Sequence, residues 1–408
     1  MSSLVYWVWL SSRPELGSRD RFRLLEELGS PEEVYYADPA DLTDLGLSEA
    51  ARAALADRSL DEADRILAAC DRLDSRILTL RDAEYPDRLR QLYDPPLLLY
   101  TKGRIPRFDS EAVIAVVGSR APSAYGLQCA RTLGYQLAAQ GALVLSGMAR
   151  GIDSAAVTAA LQAGGTTVGV LGGGLDVIYP PENRRLYEDV AAAGCLLSEY
   201  PPGTRPLAFH FPLRNRLMSG LSVGVLVVEA AQRSGTLITA RHALEQGRDV
   251  YALPGNIDAP NAAGTNRLIR DGEAELVTCA RDILEPYVAR FPGKLRPLPV
   301  PALDVVNNRE TAPAEPAVAL EPAVEEPTPE PTAEALPVIP AANQKSQFSD
   351  DEMAILRFLA DGARQVDAII AGTDIPARRA LSALTVLELR GMLRQQEGKY
   401  FEALIRLE

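Results

Sequence analysis

The residues able to do chemistry in this chain are concentrated in loops that directly follow apolar runs. Gly118-Ser119-Arg120 follows AVIAVV, and SGMARGID (146–153) places Ser146, Gly147 and Arg150 after ALVL. GGGLDVIYPPENRRL (172–186) carries Arg184, SEYPPG (198–203) carries Glu199, and VVEAAQRSGTLITA (227–240) carries Glu229, Ser234 and Gly235. LPGN (253–256) ends the series. Glycine lets backbone N–H groups approach an anion, serine adds a neutral donor, and arginine adds a charged, bidentate one. Where a helix begins just beyond such a loop, its N-terminus favours negative charge. The chemistry these loops suit is phosphate binding.

The spacing then narrows which phosphate. A dinucleotide site needs G-x-G-x-x-G and an acid about twenty residues further on for the ribose. The first loop has a single glycine where that pattern wants three, and no acidic residue lies between Glu111 and Asp153. A P-loop needs a lysine, and residues 110–286 contain none. Catalytic groups are equally scarce. His210 sits between Phe209 and Phe211 as a packed histidine, and His242 follows Arg241 in a helix. Asp153, Asp176, Glu199 and Glu229 lie near strand ends, where capping loops or pairing with arginine suits them better than acid–base work. No catalytic residue, metal ligand set or cofactor is expected. FHFPLRNR (209–216) offers two phenylalanines for base stacking beside Arg214, Asn215 and Arg216 for backbone grip. The competing arrangement packs both rings in the core and pairs the arginines with Glu199 or Glu229.

Such loops need a sheet to align them. AVIAVV, ALVL, TTVGVL, CLLS, VGVLVVE and DVYAL are mostly continuous apolar runs, as in parallel strands buried on both faces, and alanine- and leucine-rich helical segments separate them. That alternation predicts an extended, Rossmann-like, doubly wound and mostly parallel α/β sheet, whose ligands bind beyond the carboxyl ends of the strands. Residues 1–90 read as a helical domain with paired apolar–glycine turns at Leu28-Gly29-Ser30 and Leu45-Gly46-Leu47. Those turns resemble helix-hairpin-helix modules, yet Asp38, Asp41 and Asp44 argue for packing over DNA contact. DPPLLLYTKG (94–103) reads as a proline-led edge strand at the entrance to the main domain, residues 91–290. Residues 291–347 are rich in Pro, Glu and Ala and read as a disordered linker. Order resumes at Phe348, where Ser349 and Glu352 make a capping box and Phe348 staples to Met353. Residues 348–408 form a winged-helix-like domain.

Composition leaves the partner open. The chain has 408 residues, 47% hydrophobic, and a formal charge of −13. Seven of the acids lie within residues 310–342, whereas residues 110–286 hold 16 acids against 14 bases, every one of the latter an arginine. The apolar LVYWVWL (4–10) is too short to span a membrane, has no basic residue before it, and reads as a packed first element. Cys70, Cys129, Cys195 and Cys279 are far apart, which fits buried thiols in a reducing, cytoplasmic setting.

In this order, GSR, SGMARGID, GGGLDVIYPPEN, SEYPPGTRP, FPLRNRLMSGLS, VVEAAQRSGTLITARHALEQGRDVYALPGN and NRLIRDGEA resemble the DNA-processing protein A family (DprA, also called Smf). The motifs cover residues 110–286 almost continuously. The flanks are similar too: the N-terminal helices to a sterile-alpha-motif-like (SAM-like) module, and the end of the chain, with LTVLELRGML, to a winged helix. The resemblance implies a non-enzymatic protein that binds and protects single-stranded DNA and loads RecA recombinase onto it during natural transformation. It also implies a homodimer formed through the Rossmann-like domain. By resemblance Gly118, Ser119 and Arg120 match a first phosphate-contacting loop, Ser146, Gly147 and Arg150 a second, and Ser234 and Gly235 a third. Arg184 matches a basic position after the YP-x-x-N pattern, and Phe211 matches an aromatic one. Arg214, Asn215 and Arg216 match the RNR segment, in contact with DNA or as scaffold. Two departures stand out: Ala208 where members often carry a basic residue, and Val157 where many carry histidine.

Two alternatives remain at this level. One is a nucleotide-processing enzyme of the phosphoribohydrolase type, although LPGN lacks the PGG-x-GT-x-x-E stretch of such enzymes. The other makes the segment from Pro376, with Arg378 and Arg379, a duplex-reading helix. Ten acids against eight bases in residues 348–408 favour packing or protein contact there.

Overall fold

A computed structural model describes residues 3–38, 42, 45–296, 338–339 and 348–407, the last stretch without 361, 363, 374, 377–378, 381–382, 385–386, 388–391, 397–399 and 404. The chain divides into two compact units, Met1–Arg309 and Glu310–Glu408.

The first unit is organised by one nine-stranded sheet. Its strands are β1 (Arg76–Thr79), β2 (Leu98–Gly103), β3 (Val113–Val117), β4 (Leu143–Ser146), β5 (Thr167–Leu171), β6 (Cys195–Ser198), β7 (Gly224–Val227), β8 (Asp249–Ala252) and β9 (Glu275–Leu276). Their order is β1-β2-β6-β5-β4-β3-β7-β8-β9. The seven strands from β6 to β9 in that order are parallel; β2 pairs antiparallel with β6, and β1 antiparallel with β2. β3, β5, β6 and β7 are buried along their whole length, which is why they read as unbroken apolar runs. Within β3, Ile114 and Val116 face one core while Val113, Ala115 and Val117 face the other.

Helices cover both faces. On one lie α7 (Ala124–Ala139) and α8 (Ile152–Gln162), packed so closely that a Cβ at Gly134 would lie 2.4 Å from the carbonyl oxygen of Ala156. On the other lie α10 (His210–Leu221) and α11 (Thr236–Glu245). The amino-terminal segment LVYWVWLS forms helix α1 (Leu4–Ser11), with Val5 through Leu10 all buried, as expected of a helix that is apolar all round. Four further helices, α2 (Ser18–Leu28), α3 (Pro31–Tyr36), α4 (Glu49–Ala56) and α5 (Asp61–Arg72), surround it. Their core is continuous with Leu98 and Tyr100 of β2 and Leu196 of β6, so these helices form a layer on the sheet. α6 (Asp87–Arg90) and α9 (Arg184–Ala193) complete the helices up to α11.

Two sequence expectations are corrected here. Residues 1–90 are not helical throughout, because Arg76–Thr79 enters the sheet as β1. Its polar ends and two central apolar residues hide a strand of four. DPPLLLYTKG therefore supplies an inner strand, β2, with β1 outside it. Asp41 and Asp44 lie outside the described residues.

In the second unit, helix Asp350–Phe358 starts at Ser349, whose Oγ accepts from the Glu352 amide while Glu352 Oε2 accepts from the Ser349 amide at 2.7 Å. Phe348 and Met353 are both buried, consistent with the hydrophobic staple. Strands Leu393–Gln396 and Tyr400–Ala403 pair antiparallel as a wing, and Arg364–Gln365 adds to them. Val338–Ile339 pairs in parallel with Arg406–Leu407, so these two apolar residues of the expected linker belong to a strand. The rest of that linker beyond Arg296 lies outside the described residues.

Candidate nucleic-acid interface

The chain runs from β3 outwards through β4, β5 and β6, then returns to place β7 on the other side of β3. The β3/β7 boundary is therefore the topological switch point, where loops leaving the two strands diverge and open a crevice. A cleft of about 710 Å3 lies there. It is lined by Gly118, Ser119 and Arg120 after β3, by Arg233, Ser234 and Gly235 after β7, and by Tyr179, Pro206, Ala208 and Phe211 on its far wall.

The cationic and aromatic groups meet inside it. The Arg120 guanidinium lies 5.0 Å from the centre of the Phe211 ring, and Tyr179 packs on that ring at 5.5 Å. Arg120 and Arg233 are exposed. Around them lie neutral donors. Ser119 Oγ accepts from the Ala121 amide at 3.2 Å, and Ser234 Oγ accepts from the Thr236 amide at 3.2 Å. Thr236 Oγ1 donates to the Gly118 carbonyl at 3.1 Å, which ties the two loops together across the switch point. α11 begins at Thr236, so its N-terminus opens into the cleft beside Gly235.

The neighbouring helix behaves differently. α7 also begins at this end of the sheet, but its terminus is already served by a carboxylate. Glu229, only 4% exposed, accepts from the Ser123 amide at 2.9 Å and from the Ser123 hydroxyl, while Ser123 Oγ accepts from the Gly126 amide. Glu229 therefore caps the fold, and among the described residues no arginine pairs with it.

The structure brings together Gly118, Ser119, Arg120, Phe211, Arg214, Asn215, Ser234 and Gly235 at the cleft, and leaves Ser146, Gly147, Arg150, Arg184 and Arg216 off its lining. Ser146 is fully buried and donates to the Val116 carbonyl at 2.7 Å. Gly147 donates to Asp153 at 3.2 Å and accepts from Arg214 at 3.0 Å. In this structure the hydrogen-bonding groups of this pair are turned towards partners inside the fold. Arg150 is exposed and pairs with Glu182 at 3.1 Å, and Arg184 is exposed on the first turn of helix Arg184–Ala193. Neither lines the cleft.

The RNR segment is likewise behind the surface. Arg214, Asn215 and Arg216 are 4%, 8% and 9% exposed. Arg214 donates to the carbonyls of Gly147 and Val170 and, at 3.3 Å, to Asn215 Oδ1. Arg216 forks onto Glu199 at 2.6 and 2.8 Å and reaches Asp94 at 3.1 Å. Arg214 and Asn215 line the cleft with little of their surface exposed, and Arg216 does not line it. Burial lowers the Arg214 pKa to about 10 against the opposing pull of Asp153. Burial also raises the Asp153 carboxyl, opposed by Arg214 and by the amides of Ala149 and Gly147.

His210 is buried, with Nδ1 3.0 Å from the Gly172 carbonyl oxygen, and His242 pairs with Glu245. Arg233 and Tyr179 are cleft residues that the sequence reading did not single out. The signal for Arg233 was its place two residues before Gly235 in AAQRSG, and for Tyr179 its YPP turn. Arg379, a candidate duplex reader, forks onto Asp351 at 2.7 and 2.8 Å, while Arg378 lies outside the described residues. Cys70, Cys129, Cys195 and Cys279 are buried free thiols. Among the described residues, no helix is long and apolar enough to cross a membrane.

The family model described as DNA recombination-mediator protein A matches residues 76–288, and the DprA winged helix domain model matches residues 325–399. The chain is 34% identical over 330 residues to Protein Smf of Synechocystis, which covers 80% of each chain. It is 43% identical over 221 residues to DNA processing protein DprA of Bacillus subtilis, covering 54% of this chain and 74% of that one. In three dimensions it is similar to the X-ray structure of DNA processing protein A from Streptococcus pneumoniae. The TM-score is 0.60 at 36% identity, over 70% of this chain and 98% of the other.

Proposed function

The chain belongs to the DNA recombination-mediator protein A family, and from that premise we propose that its switch-point cleft holds single-stranded DNA. The observation that carries this reading is Arg120 poised over the Phe211 ring, 5.0 Å away, between two serine- and glycine-bearing loops. A ring available for stacking and an adjacent cation for phosphate suit a strand whose bases are unpaired. Arg233 and the N-terminus of α11 extend the favourable potential along the cleft. Ala208 on the wall adds no charge, so the grip falls on these arginines.

Family membership also supports finer assignments: protection of single strands, loading of RecA recombinase onto them, homodimerisation through the Rossmann-like domain, action in the cytoplasm, and no enzymatic activity. In this reading residues 1–90 buttress the DNA-binding domain at 91–290, the Pro-, Glu- and Ala-rich stretch within 291–347 is the linker, and 348–408 form the winged-helix part. The test is fluorescence anisotropy with labelled thymidine oligomers across a salt series. Single strands should bind more tightly than duplex, with a log–log salt slope of about −0.7 per phosphate contacted. Arg120→Ala should weaken binding to every sequence and flatten the slope by roughly one phosphate. Unchanged affinity and slope would remove the cleft from the DNA path. Release of free base from nucleoside monophosphates would favour the enzyme reading instead.

A further inference from the structure

We propose that Phe209 is a second base-stacking position on the crest of the cleft wall, with Arg205 beside it to meet the backbone phosphate of the same unpaired nucleotide. This inference rests on the proposed single-strand reading and extends the strand's path beyond the cleft. Within the wall, Pro206, Ala208 and Phe211 line the cleft, while Phe209 does not. Phe209 is 61% exposed, an unusual setting for a ring that no neighbouring element covers.

The ring stands on a fixed pedestal. It packs at 80° and 4.5 Å against the His210 imidazole, which stacks on Tyr200 at 4.2 Å and 22°. His210 is in turn buried and held at the Gly172 carbonyl. In either form of an edge-to-face pair, at least one face of the Phe209 ring stays open. An open aromatic face that is already immobilised loses little freedom when a base lands on it. Arg205 is similarly prepared. Thr204 before it is pinned by its carbonyl to the Gly174 amide at 2.9 Å and by its hydroxyl to Pro201 at 2.7 Å. The Arg205 side chain is exposed, has no ion-pair partner among the described residues, and no acid occurs between Tyr200 and Arg216. An exposed apolar face four residues along the chain from an exposed cation matches the chemistry of an unpaired nucleotide.

The experiment uses the full chain and thymidine oligomers carrying 2-aminopurine at successive positions, read by anisotropy and by stacking-induced quenching. The variants are Phe209→Ala, Phe209→Leu, Arg205→Ala and, as a reference for the cleft, Phe211→Ala, each first checked for an unchanged melting curve. Phe209→Ala and Phe209→Leu should each weaken binding by about 5- to 150-fold and abolish quenching at one position, leaving that due to Phe211. Arg205→Ala should flatten the salt slope by about 0.7. If Phe211→Ala weakens binding while both Phe209 variants keep affinity and quenching, the crest position is refuted and the cleft reading stands. If Phe209→Leu binds like wild type and Phe209→Ala does not, the surface is an apolar contact and the stacking proposal falls. Absence of binding and quenching in the wild-type protein would overturn both readings together.

Discussion

Replacing Arg214 by methionine tests the claim that the RNR segment organises the cleft from behind. The side chain is 4% exposed and holds carbonyls on two elements, Gly147 in the loop after β4 and Val170 in β5. Methionine fills similar volume and offers no donor, so both carbonyls lose that partner and Asp153 loses its opposing charge. Breaking a buried charge pairing from one side costs about 3–5 kcal/mol, and one unsatisfied acceptor alone about 1–3 kcal/mol. We expect about 3–5 kcal/mol in total, which is a drop of roughly 5–8 °C in melting temperature for a unit of about 300 residues. The sign of the pH dependence follows from Asp153, whose carboxyl burial already raises and which the substitution raises further. Below its unfolded pKa, roughly 4, the group is protonated in both states and carries no penalty. The penalty grows as pH rises through that value towards the raised folded pKa, so R214M should lose least near pH 4 and most at neutral pH. Adding Asp153→Asn should return about 0.5–3 kcal/mol. Circular dichroism melts at pH 4 to 7.5 read all of this. An R214M protein melting within about 2 °C of wild type at pH 7, with no benefit from the second substitution, would refute the reasoning.

Ser146→Ala should leave oligonucleotide affinity within about twofold and cost about 0.5–1.5 kcal/mol in denaturant unfolding, the net worth of one hydrogen bond. A large affinity loss at unchanged stability would return Ser146 to the DNA surface. Gly134→Ala places a methyl 2.4 Å from the Ala156 carbonyl oxygen and should cost about 1–3 kcal/mol, because α7 and α8 must separate. A neutral or stabilising result in a thermal melt would show that the two helices have slack.

The sequence made the parallel strands and strand-end loops legible because burial on both faces leaves no polar alternation to confuse the signal. It made the helix start at Ser349 legible because a capping box is a local device. β1 escaped notice because RILT is only four residues long and its pattern resembles the end of a helix. The fate of LRNR was open for a different reason. Polarity at consecutive positions suggests a solvated turn, but three successive residues of a helix span about 200° and cannot all face water. Which of them turns inward depends on acceptors far away in sequence: Gly147, Val170, Glu199 and Asp94. Ser146 and Gly147 were open for a similar reason. A serine–glycine loop has the same composition whether its donors face a ligand or its own fold.

Glu229 has a wider consequence. Open sheets of this kind commonly take a nucleotide's phosphate at the helix that follows the central strand, which here is α7. That place is held by the chain's own carboxylate, bonded to both the amide and the hydroxyl of Ser123. A free nucleotide, which must be retained through one phosphate cluster, meets like charge where its strongest hold would have been. On the proposed single-strand reading a polymer loses only one contact among many and keeps the rest, along the N-terminus of α11 and at Arg120 and Arg233. On that reading Glu229 would favour polymer over monomer by subtraction, one internal carboxylate standing where a free nucleotide needs its main hold.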